Sequence, residues 1–153
     1  MSFRAPIRRI ALARPALAAR GFHSTPRAFV RVGQEIPNLD VLLEDSPGNK
    51  VNLAEEFKSA NGYIVGVPAA FSGTMKAWSE QLDPAKQTGI RFLGDPTGEF
   101  TKALDLGFEA YEVFGGMRGK RYALKVEDGK VSKAYVEPDN TGSAVSMAEQ
   151  VLD

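Results

Sequence analysis

GYIVGVPAAFSG, residues 62–73, reads as a buried strand that runs into a bend. Tyr63, Ile64, Val65 and Val67 form a short β-rich apolar run between glycines, the pattern of a strand Tyr63–Val67 covered on both faces. Pro68 stops it, small residues follow, and Ser72 sits just ahead of a helical pattern that begins near Met75. In open α/β sheets, the carboxyl end of a central strand meeting a helix is where ligands and chemistry usually sit.

Upstream, the first 27 residues hold Arg4, Arg8, Arg9, Arg14, Arg20 and Arg27, with no lysine and no acidic residue. An arginine-rich, acid-free, amphipathic segment is the composition of a mitochondrial transit peptide, and Arg and Pro break its apolar stretches too often for a secretory core or a membrane span. The expected division is therefore 1–27 as transit peptide and 28–153 as one domain, located in the mitochondrial matrix. The whole chain has 19 Lys+Arg and 19 Asp+Glu; taking away those six arginines leaves 13 against 19, a net −6 for the domain. That acidity argues against nucleic acid or anionic membrane as partner, and 126 residues suffice for one core.

Residues 29–43 alternate weakly and read as two short edge strands or a hairpin. Asp45–Asn49 is a turn cluster, Lys50–Leu53 a short returning strand, and Asn52 the N-cap of a helix Leu53–Lys58 that Asn61-Gly62 ends. Glu55 and Glu56, adjacent on a helix, cannot face one another and read as a solvated first turn. Met75, Trp78 and Leu82 predict a helix over 75–85, with Trp78 in the core. Ile90–Leu93 reads as a buried strand, Asp95–Gly98 as a turn, and Glu99–Leu106 as a helix capped by Gly107. Gly115–Arg121 is basic and glycine-rich but lacks phosphate-loop spacing, so it reads as a hairpin connection. Asp128-Gly129 joins strands Tyr122–Glu127 and Lys130–Val136, Glu137–Gly142 is a loop, and Ser146–Leu152 a closing helix.

GVPAAFS, GDPTGEF, GKRYALKVEDGKV and VEPDNTG, in that order, resemble the peroxiredoxins, and within them the type II, peroxiredoxin-5-like group. The resemblance implies an α/β thioredoxin-like fold: a central mixed sheet flanked by helices, with an N-terminal hairpin. It also implies a thiol-dependent peroxidase acting on hydrogen peroxide and alkyl hydroperoxides, with thioredoxin, glutaredoxin or glutathione as reductant, as a homodimer or heterodimer and without a cofactor. In the family motif Pro-x-x-x-Thr/Ser-x-x-Cys, Pro68 and Ser72 match while Met75 stands at the cysteine. Arg121 matches the arginine beside the peroxidatic sulfur, and Val145 stands where some members carry a resolving cysteine.

The chain contains no cysteine. MKAWSEQL resembles a later helix of the family, so the economical reading is an internal deletion of one inner helix–strand unit, joining Ser72 to that helix through Gly73 and Thr74. The missing strand would lie between the Tyr63–Val67 and Ile90–Leu93 strands, which must then pair directly or leave buried backbone groups unpaired. Pro68, Ser72 and Arg121 are the expected remnant of the peroxide site. Thiolate chemistry has no hydroxyl equivalent at neutral pH, and Ser72 lacks a base, since the one histidine, His23, lies in the leader. One histidine and no cysteine also leave no ligand set for zinc, haem-thiolate or iron–sulfur. The expectation is a peroxidase scaffold without peroxidase activity, or a non-catalytic dimerisation partner of an intact relative.

Overall fold

The computed structural model describes residues 29–68 and 74–152. Its centre is the hairpin that Asp128-Gly129 closes. Both residues have positive φ, 50° and 72°, the conformation that matches a two-residue turn to the right-handed twist of its strands. The Asp128 N–H is pinned by the Asn61 side-chain oxygen at 3.1 Å.

In chain order the elements are β1 (Leu42–Glu44), β2 (Lys50–Val51), α1 (Leu53–Glu56), β3 (Gly62–Gly66), α2 (Thr74–Leu82), β4 (Leu93–Gly94) and α3 (Glu99–Ala103). They continue with β5 (Gly107–Ala110), α4 (Tyr111–Phe114), β6 (Gly116–Gly119), β7 (Tyr122–Glu127), β8 (Lys130–Val136) and α5 (Ala148–Val151). Among the described residues the strands form sheets in the orders β3-β7-β8, β2-β1-β4 and β5-β6. The expected α/β architecture is present, and the core lies on the inner face of β7 and β8, where Leu124, Val126 and Val131 meet Leu104, Leu106 and Phe100.

Several local readings hold. Asn52 caps α1, its side-chain oxygen accepting from the amides of Ala54 and Glu55, and the turn at 45–49 returns the chain through β1–β2. Of the weakly alternating segment 29–43, Leu42 and Leu43 enter β1, and the part before it forms no hairpin but one isolated bridge, Glu35 to Lys130, at the outer edge of β8.

Other expectations are corrected. β3 is not covered on both faces: Ile64 packs on the core, while Tyr63 and Val65 on the opposite face are 42% and 63% exposed. Ile90 is 63% exposed, and only Leu93–Gly94 becomes strand, pairing with β1. Arg91 is the reason. Its guanidinium is bidentate on Glu44, Nε and Nη2 each at 2.8 Å, and Nη1 lies 3.1 Å from Glu56, so this segment is tied to β1 and α1. The charge-assisted bonds from Arg91 lower the Glu44 pKa and hold Arg91 protonated more firmly. β3 and β4 thus do not pair, and the exposed outer face of β3 puts that strand beside water rather than inside a wall of buried backbone. Trp78 is 40% exposed and meets Phe92 edge-on at 6.1 Å, outside the core. Helix α3 ends at Leu104, and Asp105, at φ 54°, turns the chain; Gly107 opens β5. Gly115–Gly119 is no mere connection: Gly115, at φ 70°, ends α4, and β6 pairs with β5 from Gly107↔Gly119 to Ala110↔Gly116. The closing helix is shorter than its reading because Ser146 turns its hydroxyl onto Glu137.

Gly66 shows how tightly β3 is seated. A Cβ added there would lie 2.1 Å from the Tyr122 ring. Gly66→Ala is expected to destabilise the chain by ~1–3 kcal/mol, read as a lower denaturation midpoint, and an unchanged midpoint would show that β3 does not depend on this contact.

Candidate functional site

The last β3–β7 pair, Gly66↔Tyr122, sets the geometry of the expected remnant. It brings the chain leaving β3, Val67–Pro68, alongside the chain entering β7, Lys120–Arg121. The Val67 carbonyl lies 3.9 Å from where a Cβ on Gly119 would stand. Pro68 and Arg121 thus each lie just beyond the paired ends of β3 and β7, while Ser72 lies outside the described residues, as does the Ser72–Gly73 side of the expected junction.

Arg121 is held by its backbone before its side chain does anything. Its N–H donates to Asn140 O at 2.7 Å, and its carbonyl accepts from Glu137 N–H at 3.0 Å. The half-buried side chain then donates from Nε to Thr141 O at 3.3 Å. Among the described residues no carboxylate forms an ion pair with its guanidinium. Such a cation can stabilise an adjacent anion and donate hydrogen bonds to a bound oxygen species.

Two carboxylates that the sequence reading passed over build the surroundings. Glu137, which reads only as the start of a loop, is 1% exposed. Its Oε1 accepts from the amides of Val145 and Ser146 at 2.9 and 2.8 Å and from the Ser146 hydroxyl at 2.7 Å. Burial pushes its pKa up, but the bonds from Ser146, Val145 and Ala144 outweigh burial and hold the carboxyl at about 2. Asp95, read only as a turn residue, accepts from the Thr101 amide and hydroxyl, both at 2.8 Å, and anchors α3. Tyr122 beside it is fully buried, and burial together with the Asp95 charge pushes its phenol pKa up. Nothing in residue type distinguishes these carboxylates from surface ones; a Glu directly before Pro138 at a strand end was the only available hint.

A cleft of about 60 Å³ is lined by Thr97, Gly98, Thr101, Lys102, Gly107, Met117 and Arg118. Neither Pro68 nor Arg121 lines it. Arg118 is engaged with backbone, donating to Phe114 O at 2.7 Å and Met117 O at 3.1 Å. Among the described residues no three His, Cys, Asp or Glu side chains group as a metal site needs, and no helix is long and apolar enough to cross a membrane.

The redoxin family model matches residues 73–152. The chain belongs to this family. The peroxisomal membrane associated protein 20 of Schizosaccharomyces pombe is 44% identical over 90 residues, 59% of this chain and 56% of that protein. Peroxiredoxin-2C of rice, Oryza sativa subsp. japonica, is 35% identical over 106 residues, 67% of this chain and 62% of that protein. The chain therefore spans less than two thirds of the length of these relatives. Among solved structures, peroxiredoxin 5 from Alvinella pompejana aligns with 28% identity and a TM-score of 0.61, covering 73% of this chain and 92% of that one. The thioredoxin-like fold implied by the resemblance is thereby shown. Arg121 falls inside the redoxin-matched residues, and Pro68 and Ser72 fall before them.

Glu137 makes the loop it holds sensitive to acid. Because its folded pKa lies below the ordinary carboxylate value of 4.5, its stabilisation is complete above that value and is lost as pH falls toward about 2. The urea midpoint of the native chain is expected to fall across that window, and Glu137→Gln to fall measurably less from a lower starting point. Parallel pH profiles for the two would show that the carboxylate carries no such role.

Proposed function

We propose that this chain is a type II member of the peroxiredoxins that keeps the scaffold of a thiol peroxidase and does not itself turn over peroxide. One observation carries the reading: the sequence contains no cysteine. Peroxide reduction by this family's chemistry needs a thiolate to attack the O–O bond and become a sulfenic acid. By resemblance Arg121 is the residue that would hold such a thiolate and the peroxide, so on this reading the chain keeps the electrostatic half of a peroxide site without the nucleophile. Supporting the type II assignment is the likeness to a peroxiredoxin 5 structure.

The junction at Ser72–Met75 is read as the mark of a lost helix–strand unit that carried the cysteine. In support, the family match begins at residue 73. The purified chain with dithiothreitol is expected to consume hydrogen peroxide no faster than a buffer blank; consumption above the blank overturns the reading.

A second reading is favoured by the intact core around β7 and β8: a non-catalytic partner that binds a cysteine-bearing relative and alters its peroxidase rate. Native mass spectrometry of the mixture is expected to show the heterodimer, and its absence removes this role. For location, the acid-free, arginine-rich residues 1–27 support the mitochondrial matrix. Those residues fused to a fluorescent protein are expected to deliver it to mitochondria and to be cleaved; a cytosolic or peroxisomal signal overturns the assignment.

A further inference from the structure

The two edges of the β3-β7-β8 sheet are treated differently. The outer edge of β8 is covered at its first residues by 33–36, where Gly33 N–H donates to Val131 O at 2.7 Å, Val131 N–H to Gln34 O at 2.9 Å, and Ile36 N–H to Gly129 O at 3.0 Å, and Lys133 stands on the remainder of the strand. β3 pairs with β7 on one edge, and no described residue pairs with the other. Open edges in soluble proteins are normally blunted by lysine, proline or a bulge. β3 has none of these. No charged residue stands between Lys58 and Lys76, Pro68 comes only after the strand ends, and the pairing with β7 runs in unbroken register from Gly62 to Gly66. Its outer face also presents Tyr63 and Val65 to solvent.

We propose that this edge is completed by β3 of a second copy of the chain, paired antiparallel across a two-fold axis at Ile64. Charge favours that occupant. The domain carries a net −6 outside the leader, so two copies repel over most of their surfaces, and the uncharged stretch around β3 is where they can approach without like charges meeting. The register follows from strand geometry. Both polar groups of one residue point to the same neighbour and those of the next residue to the other. Two identical edges therefore pair residues of equal parity, which also share a face. Full overlap of Gly62–Gly66 then sets Ile64 against Ile64 and Tyr63 against Val65 of the second copy. Each dimer gains two identical aromatic–β-branched pairs, a combination that stabilises antiparallel strands. The sheet becomes β8-β7-β3-β3-β7-β8, and because the two-fold consumes both β3 edges the assembly closes at two chains.

The absence of cysteine makes the register testable, since an introduced thiol is the sole one in the chain. Y63C and V65C chains mixed under mild oxidation are expected to give a cross-linked mixed dimer. Either variant alone should cross-link poorly, because like positions then sit diagonally at about 7–8 Å, beyond the roughly 3.5–4.5 Å Cβ separation of a disulfide. The unaltered full chain is expected to sediment as a dimer, and V65K, at an exposed position, to sediment as a monomer that keeps the far-UV circular dichroism of the folded chain. Three results overturn the proposal: a monomer whose β3 amides resist hydrogen exchange, which means the chain covers its own edge; open-ended oligomers; or equal cross-linking of the single variants. If V65K does not fold, the cysteine pairs still decide the question.

Discussion

Strand β7 carries neighbours along both edges, β3 from Gly62↔Val126 to Gly66↔Tyr122 and β8 from Tyr122↔Val136 to Glu127↔Lys130. Leu124 and Val126 at its centre are completely buried, so the strand is both the hydrogen-bonding spine and the floor of the core. Each half of the candidate site depends on it. The N-terminal end of β7 fixes Arg121, the facing end of β3 fixes Pro68, and the return of β8 into Glu137 locks the loop whose carbonyls Arg121 meets.

Around that spine, polar anchoring replaces the burial that a larger sheet would provide. Arg91 ties Glu44 and Glu56 together across β1 and α1, Asp95 anchors α3 through Thr101, and Glu137 gathers Val145 and Ser146. Exposed ion pairs contribute little each. A buried carboxylate that meets several N–H and O–H donors is different, because removing it strands those donors without partners. The small domain is held by a short apolar core and by a few carboxylates in places that residue type does not reveal.

For function, the decisive feature is an imbalance of charge. A peroxiredoxin site balances an arginine against a thiolate, and the pairing sets both the reactivity of the sulfur and the binding of the peroxide. In the proposed reading Arg121 is that arginine, and the chain holds no thiol to complete it. Binding surfaces need no nucleophile, and the open edge of β3 is the most distinctive surface of this kind that the described residues present.

The hairpin at Asp128-Gly129, the Asn52 cap, the strands Tyr122–Glu127 and Lys130–Val136 and the family motifs were legible in the sequence because each rests on local rules: positive φ at a tight turn, an amide bound by its own side chain, alternation over six or seven residues. Pro68 and Arg121 as site residues rest on resemblance alone; the pairing of β3 with β7 places each just beyond the end of a paired strand. The depth of Tyr63–Val67, the place of Trp78, the strand character of Gly116–Gly119 and the burial of Glu137 were not legible. An apolar run looks the same whether one face or two are covered, and a glutamate looks the same beside water or under a loop. What the sequence by itself determined is the family, the hairpin core and the absence of a thiolate, since those depend on residue identity and short spacing. Only the tertiary structure decided that β4 joins β1 rather than β3, that Arg91 holds it there, and that no described residue pairs with the outer edge of β3, because pairing partners are chosen by which buried surfaces and charges meet across the fold.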